Sequence, residues 1–352
     1  MLKGIPHLLP VINNALRAGA TFAVCAPPGD DRFRVFLPDC PASAPSSAVF
    51  EIGPWLMPYS RRITIGNEVS SDEARRRLET LPDAPASSPL FSSYSTPQSL
   101  YIANVSSIIA SCRRRKGKSV YSRVITGKIA DGMTWATLFE ALCQTFPQTF
   151  RFIFYTSGTG GWMGATPELL LHADFTAETF RTVALAGTRP RSVRPWDTKN
   201  IHENLFVSRY ITAKVRHAGL RACVSPPYNV AYGTEIEHLC REISGTLPAG
   251  EYEQLFDAIN PTPALCGFPK QRAIADLKRY EPHSRGCYGG FVALRDSREI
   301  SAFVTLRCIQ FGGPLMRIYA GGGITAESVP AKEWTETESK CTFFRRYLKN
   351  IL

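Results

Sequence analysis

The ten cysteines never form a C-x-x-C pair, and the six histidines are scattered rather than clustered along the 352 residues. A zinc site or a dithiol redox centre needs such groupings, so neither is expected. Several cysteines sit in apolar stretches such as "ALCGF" and "TLRCIQF". They read as buried, reduced thiols. Long apolar runs are missing as well. "ELLL" and "RFIFY" fall far short of the roughly 20 residues that cross a bilayer. The N-terminal stretch carries Asn13, Asn14 and Arg17 where a signal peptide needs an unbroken apolar core. The expectation is a cytosolic protein with no membrane contact.

Nucleotide and hydrolase signals also fail. "GTGGWMG" at 158–164 lacks the G-K-[ST] ending of a phosphate loop, and a strand rather than a helix follows it. No G-x-S-x-G elbow occurs.

What is plentiful is positive charge, at a formal net +11, in runs such as Arg75–Arg77 and "RRRKGK" at 113–118. These runs are not interleaved with the aromatic side chains on which RNA modules stack bases. They read as solvated helix ends and loops, and no nucleic-acid partner is expected. A positive field also suits a small anionic substrate.

Punctuation along the chain predicts alternating helices and strand pairs. Thr96 and Pro97 open a helix that three arginines and Gly117 close. Thr134 caps a second helix, which stops at Pro147. "TFRFIFYTSGTGGWMGATPELLLHA" reads as a β-hairpin about a glycine-rich turn. A further helix runs through "DTKNIHENLFVSRYITAKVRHAG" and stops at Gly219, and the last helix covers roughly 329–350. Strands are expected at 226–245, 286–296, 300–311 and 314–320. The Pro- and Ser-rich stretch 81–99 reads as a loop. This rhythm implies α+β layers of antiparallel strands rather than a doubly wound parallel sheet.

The acidic residues are more specific. Glu333, Glu336 and Lys340 fall on one helical face, directly after "AGGGI", and Glu203 follows Lys199 by one turn on another helix. Surface pairing within a helix is one reading. The other is an oxygen-only site for a hard cation between two helices, of the kind Mg2+ favours.

Five blocks appear in order: "GATPELLL" at 164–171, "LAGTRPR" at 185–191, "PTPALCGFPKQRAI" at 261–274, "TLRCIQF" at 305–311 and "YAGGGITAESVPAKEWTETESK" at 319–340. Together they resemble the chorismate-binding enzyme family, which includes anthranilate, aminodeoxychorismate, isochorismate and salicylate synthases. The resemblance implies a four-layer α/β/β/α sandwich in one large domain over 1–352. Residues 1–95 form a divergent N-terminal part of it, and 96–352 the catalytic core. It implies Mg2+ held by Glu203 and Glu336 with Glu333 beside them. It places Gly187, Thr188, His238, Ala264, Tyr288, Arg307, Gly321 and Lys340 around chorismate.

Within that family, "KGKSVYSR" resembles the strand of the isochorismate- and salicylate-forming members. Lys118 then takes the place of their water-activating base, with Lys116 as a register alternative. Glu168 matches the general acid for the departing C4 hydroxyl. Ala186 stands where aminodeoxychorismate synthases carry a lysine nucleophile. Asn200 stands where relatives often carry an acid, and "GGGI" replaces G-A-G-I. The expected activity is isochorismate synthesis, an isomerisation feeding menaquinone or siderophore formation. Salicylate synthesis is the alternative. A monomer without a glutaminase subunit is expected.

Overall fold

The computed structural model describes residues 5–38, 48–84, 89–233 and 236–349. Cys40 and residues 85–88 of the Pro/Ser-rich stretch lie outside them. Every strand pairing is antiparallel. One hydrogen-bonded path runs Tyr228–Tyr232, Ile236–Thr246, Thr179–Pro190, Leu169–Asp174, Glu299–Val304, Phe291–Arg295, Val49–Gly53 and Ile63–Val69. It continues through Arg34–Leu37, Phe22–Ala26, Phe150–Thr156, Gly160–Thr166, Cys308–Gly312 and Leu315–Ile324 to Lys118–Ile129. Strands from the first 95 residues sit in the middle of this path.

Three hydrophobic cores give the layers. The central one consists almost wholly of strand residues. Phe50, Ile52, Val292 and Phe303 from one half of the path meet Phe152, Phe154, Trp162 and Tyr319 from the other. This is sheet-on-sheet packing, in which alternate residues of each strand face inward. On one outer face the helices Leu9–Arg17 and Trp135–Thr145 bury Val11, Ile12, Phe139 and Leu142. On the other, Thr198–His217 and Tyr252–Ile259 bury Val207, Ile211, Leu255 and Phe256. The fold is thus the α+β sandwich expected.

Helix boundaries follow local chemistry, with corrections. Thr134 caps the helix Trp135–Thr145 through a full capping box with Thr137. Asp197 caps Thr198–His217 by accepting from the Asn200 N–H. Thr96 does not cap a helix. Its hydroxyl accepts from the Val124 N–H at 3.1 Å, and the helix Gln98–Arg115 starts beyond Pro97 without a side-chain cap. A tertiary bond has taken the oxygen that the local pattern assigned to capping. That helix ends on Lys116 in the left-handed conformation (φ 51°), one residue before Gly117. The last helix is shorter than expected, Pro330–Arg345. Nor is the whole 113–118 run solvated: Arg115 is half-buried and pairs with Asp276 and Ser119.

Eight of the nine described cysteines are buried and all nine are free; Cys223 alone is exposed. No described helix is long and apolar enough to cross a membrane.

Candidate active site

Two long strands form the floor of the site. Lys118–Ile129 pairs with Leu315–Ile324, which sets Ser122 opposite Gly321 and Val120 opposite Gly323. The helix Pro330–Arg345 packs over the glycine end of this pair. Arg123 fixes it there. Its guanidinium lies 3.9 Å above the Trp334 ring, donates to the Thr337 hydroxyl at 2.7 Å, and pairs with Glu338. Glu338 therefore faces away from Glu333 and Glu336, and is not part of their group. The helix Thr198–His217 closes the opposite side.

A cavity of about 160 Å³ opens between these elements. Lys118, Glu168, Glu203, Glu336, Gly187, Thr188, His238, Ala264, Tyr288, Arg307, Gly321 and Lys340 all line it. Glu333 sits just behind the wall, with a carboxylate oxygen 3.2 Å from where a Cβ on Gly322 would lie. Lys116, the register alternative to Lys118, is exposed at the helix end.

Side-chain pairing differs from the local pattern. Glu203 does not pair with Lys199 one turn before it. It pairs with Lys118, 85 residues away. Lys199 instead reaches Glu333, at 4.0 Å. Lys340 bridges the Gly321 carbonyl at 2.8 Å and Glu336 at 2.7 Å. Glu203 and Glu333 thus take ammonium partners from distant segments, while Glu336 keeps the lysine one turn after it on its own helix.

The titration states divide accordingly. Lys340 holds the Glu336 carboxyl below its usual range. Burial, with the neighbouring Glu336 charge adding, pushes Glu333 up. Glu168 has no ion-pair partner among the described residues, and burial pushes it up to about 8 against an opposing effect of Lys118. Such an acid is largely protonated at neutral pH and can donate. His238 is pushed down to about 3, first by burial and then by the charges of Arg307 and Lys340. It is a neutral imidazole, hydrogen-bonded to the Thr188 hydroxyl at 3.0 Å.

Arg307 adopts φ 48°, a left-handed conformation uncommon for a residue with a Cβ. Its guanidinium lies 4.6 Å over the Tyr232 ring, and among the described residues it has no carboxylate partner. An unpaired fork of donors at a cavity wall is suited to a carboxylate.

The donor set suits a hard cation. Glu333 and Glu336 oxygens approach the same point at Gly322, at 3.2 and 3.9 Å, and a Glu203 oxygen lies 3.4 Å from the corresponding point at Gly323. The Tyr101 hydroxyl is buried without a partner, among groups where Glu333 and Glu336 are felt. The donors are all oxygen and anionic. Among the described residues no three such side chains already form a cage. Mg2+ does not require one, because it keeps waters and takes one or two carboxylates plus an anionic ligand. The residues fit that ion.

Sequence reasoning missed Arg285, which lines the cavity together with Lys199 and Asn200. Arg285 is buried under Trp55 at 4.3 Å, is paired with Glu281, and donates to the carbonyls of Val120 at 2.5 Å and Leu265 at 3.1 Å. No local pattern marks it. The Asn200 side chain accepts from the Thr188 N–H at 3.3 Å, joining the helix start to the Gly187 turn.

The model of the chorismate binding enzyme family matches residues 60–349. The chain belongs to the chorismate-binding enzyme family. Among its relatives, isochorismate synthase 2 of Arabidopsis thaliana is 29% identical over 242 residues, 65% of this chain and 42% of that protein. Isochorismate synthase EntC of Escherichia coli is 30% identical over 236 residues, 63% of this chain and 60% of that protein. The chain thus matches about half the length of these relatives. The solved structure of MenF, the menaquinone-specific isochorismate synthase of Escherichia coli, superposes with a TM-score of 0.75 at 20% identity, covering 96% of this chain and 91% of that one. At that identity the likeness concerns the fold of the family.

Proposed function

We propose that the protein is an Mg2+-dependent isochorismate synthase that converts chorismate to isochorismate with water as nucleophile. The observation that carries this reading is that Lys118 and a buried Glu168, without an ion-pair partner among the described residues, line one cavity. Lys118 takes a proton from water, and the oxygen forms a bond to C2 of the ring. The C1–C2 and C5–C6 double bonds shift to C1–C6 and C4–C5. The C4–O bond breaks, and the departing hydroxyl leaves as water with the Glu168 proton. One water enters and one leaves, so the reaction is an isomerisation once Lys118 and Glu168 have exchanged protons with solvent.

Charge recognition comes from the walls. Arg307 and the bare backbone at Gly321 receive the enolpyruvyl carboxylate, since glycine leaves room for close approach. Glu203 and Glu336, with Glu333 beside them, hold Mg2+, which when bound neutralises the ring carboxylate. Lys118 acts as the base within the cavity that Lys340 and Arg307 also line. The relatives' names support the same reading. Chromatography of the products from chorismate plus Mg2+ tests it. Isochorismate is expected; anthranilate in the presence of ammonium salts would overturn the water reading, and salicylate would add pyruvate loss.

A further inference from the structure

Lys118 is not placed by its own strand alone. It lies at the start of Lys118–Ile129, and its side chain crosses towards Gly323 of the neighbouring strand. A Cβ built on Gly323 would stand 2.4 Å from Lys118 Cε, 2.8 Å from Lys118 Nζ and 3.4 Å from Glu203 Oε1. The first two are closer than side-chain carbons come to other atoms, while the third is an ordinary contact. Gly323 has no left-handed φ, so its backbone does not require glycine. What requires glycine is the volume taken by the lysine end.

We propose that Gly323 is a positioning residue that seats the Lys118 ammonium in the cavity. This deepens the isochorismate synthase reading and rests on it where activity is measured. The missing side chain leaves a groove into which the lysine stem lies down. The stem is thereby buried, with Lys118 only 7% exposed, and its nitrogen is delivered to Glu203 and the cavity. The atoms in conflict with a methyl group belong to the far end of a flexible side chain. A Gly323→Ala strand therefore still pairs with Lys118–Ile129, and the lysine is what moves.

The test compares wild type, G323A, K118A and K118A/G323A, with chorismate turnover, Mg2+ titration and mass-spectrometric labelling of Lys118 by an amine reagent. Displacing a general base forfeits part of the ~10²–10⁴-fold such groups contribute. The expected result is that G323A loses about 10²-fold in kcat with KM changed by less than about threefold. Its Mg2+ dependence stays near wild type, and Lys118 is labelled faster than in the wild type. The double variant is no slower than K118A, because the two changes act through one side chain.

Near-normal kcat in G323A, a further full loss in the double variant, or weakened Mg2+ dependence pointing to Glu203 would each overturn the seat. If G323A does not fold, K118A/G323A should, since the conflicting atoms are gone; failure of both overturns it too. Wild-type inactivity on chorismate refutes the enzymatic reading instead. Faster Lys118 labelling in G323A then still supports the seat, and unchanged labelling refutes it.

Discussion

Glu168, in the cavity wall, and Glu281, paired with the wall residue Arg285, both have buried side chains, yet they hold their protons oppositely. Glu281 is met by the Arg285 guanidinium through two hydrogen bonds, at 2.8 and 2.6 Å, and accepts from the Ser122 N–H and hydroxyl. Burial raises it, but Arg285 and these donors pull it below its ordinary value. Glu168 has no such partner, and burial raises it to about 8. Burial alone therefore does not keep a carboxyl protonated; burial without a bonded cation does. The Glu281 pair acts instead as a staple. Through Arg285 it holds the Val120 and Leu265 carbonyls, two walls of the site, in register. Glu203 and Glu336 form a third kind, each paired with a lysine, and are the carboxylates proposed to hold the cation.

Removing the cation separates this third kind from the other two. Excess EDTA should abolish turnover, and added Mg2+ should restore it; undiminished activity in chelator breaks the metal assignment. Next come the reacting groups. K118A and E168Q should each lose ~10²–10⁴-fold in kcat, with chorismate still bound and the folds intact. The losses should not add in the double variant.

E281A should behave in the opposite way. Cutting a buried pair leaves Arg285 uncompensated and costs about 3–5 kcal/mol of stability, readable as a lowered urea midpoint. A stable E281A, or an unstable E168Q, would erase the contrast.

The last contrast is in pH. Folded Glu168 keeps a proton between its ordinary 4.5 and about 8 that the unfolded chain has lost. Stability contributed by this site therefore falls as pH rises through that window and is level above it. E168Q lacks the proton, so its stability relative to wild type should climb from pH 4.5 to 8 in parallel denaturation series. A flat difference would mean that Glu168 is ionised throughout.

Much of this was legible from the chain. Thr134 and Asp197 mark helix starts because a hydroxyl or carboxylate beside free N–H groups has one local use. The ordered blocks brought Lys118, Glu168, Arg307 and the acidic helix into view together. What local reading missed was set by contacts between distant segments. Thr96 spends its hydroxyl on Val124, and Glu203 takes Lys118 rather than the lysine one turn away. Arg285 looks like any loop arginine until Trp55, Val120 and Leu265 are folded around it. The match of Gly323 to Lys118 needs the strand register, which no short window contains.

The central claim is that Lys118 directs a water at C2 while Glu168 releases the C4 hydroxyl. Turning chorismate over with Mg2+ in water enriched in oxygen-18, followed by mass analysis of the product, tests it most directly. The account predicts isochorismate carrying one heavy oxygen, at the C2 hydroxyl, with the label lost in K118A along with turnover. Isochorismate that retains only the original oxygen would contradict it.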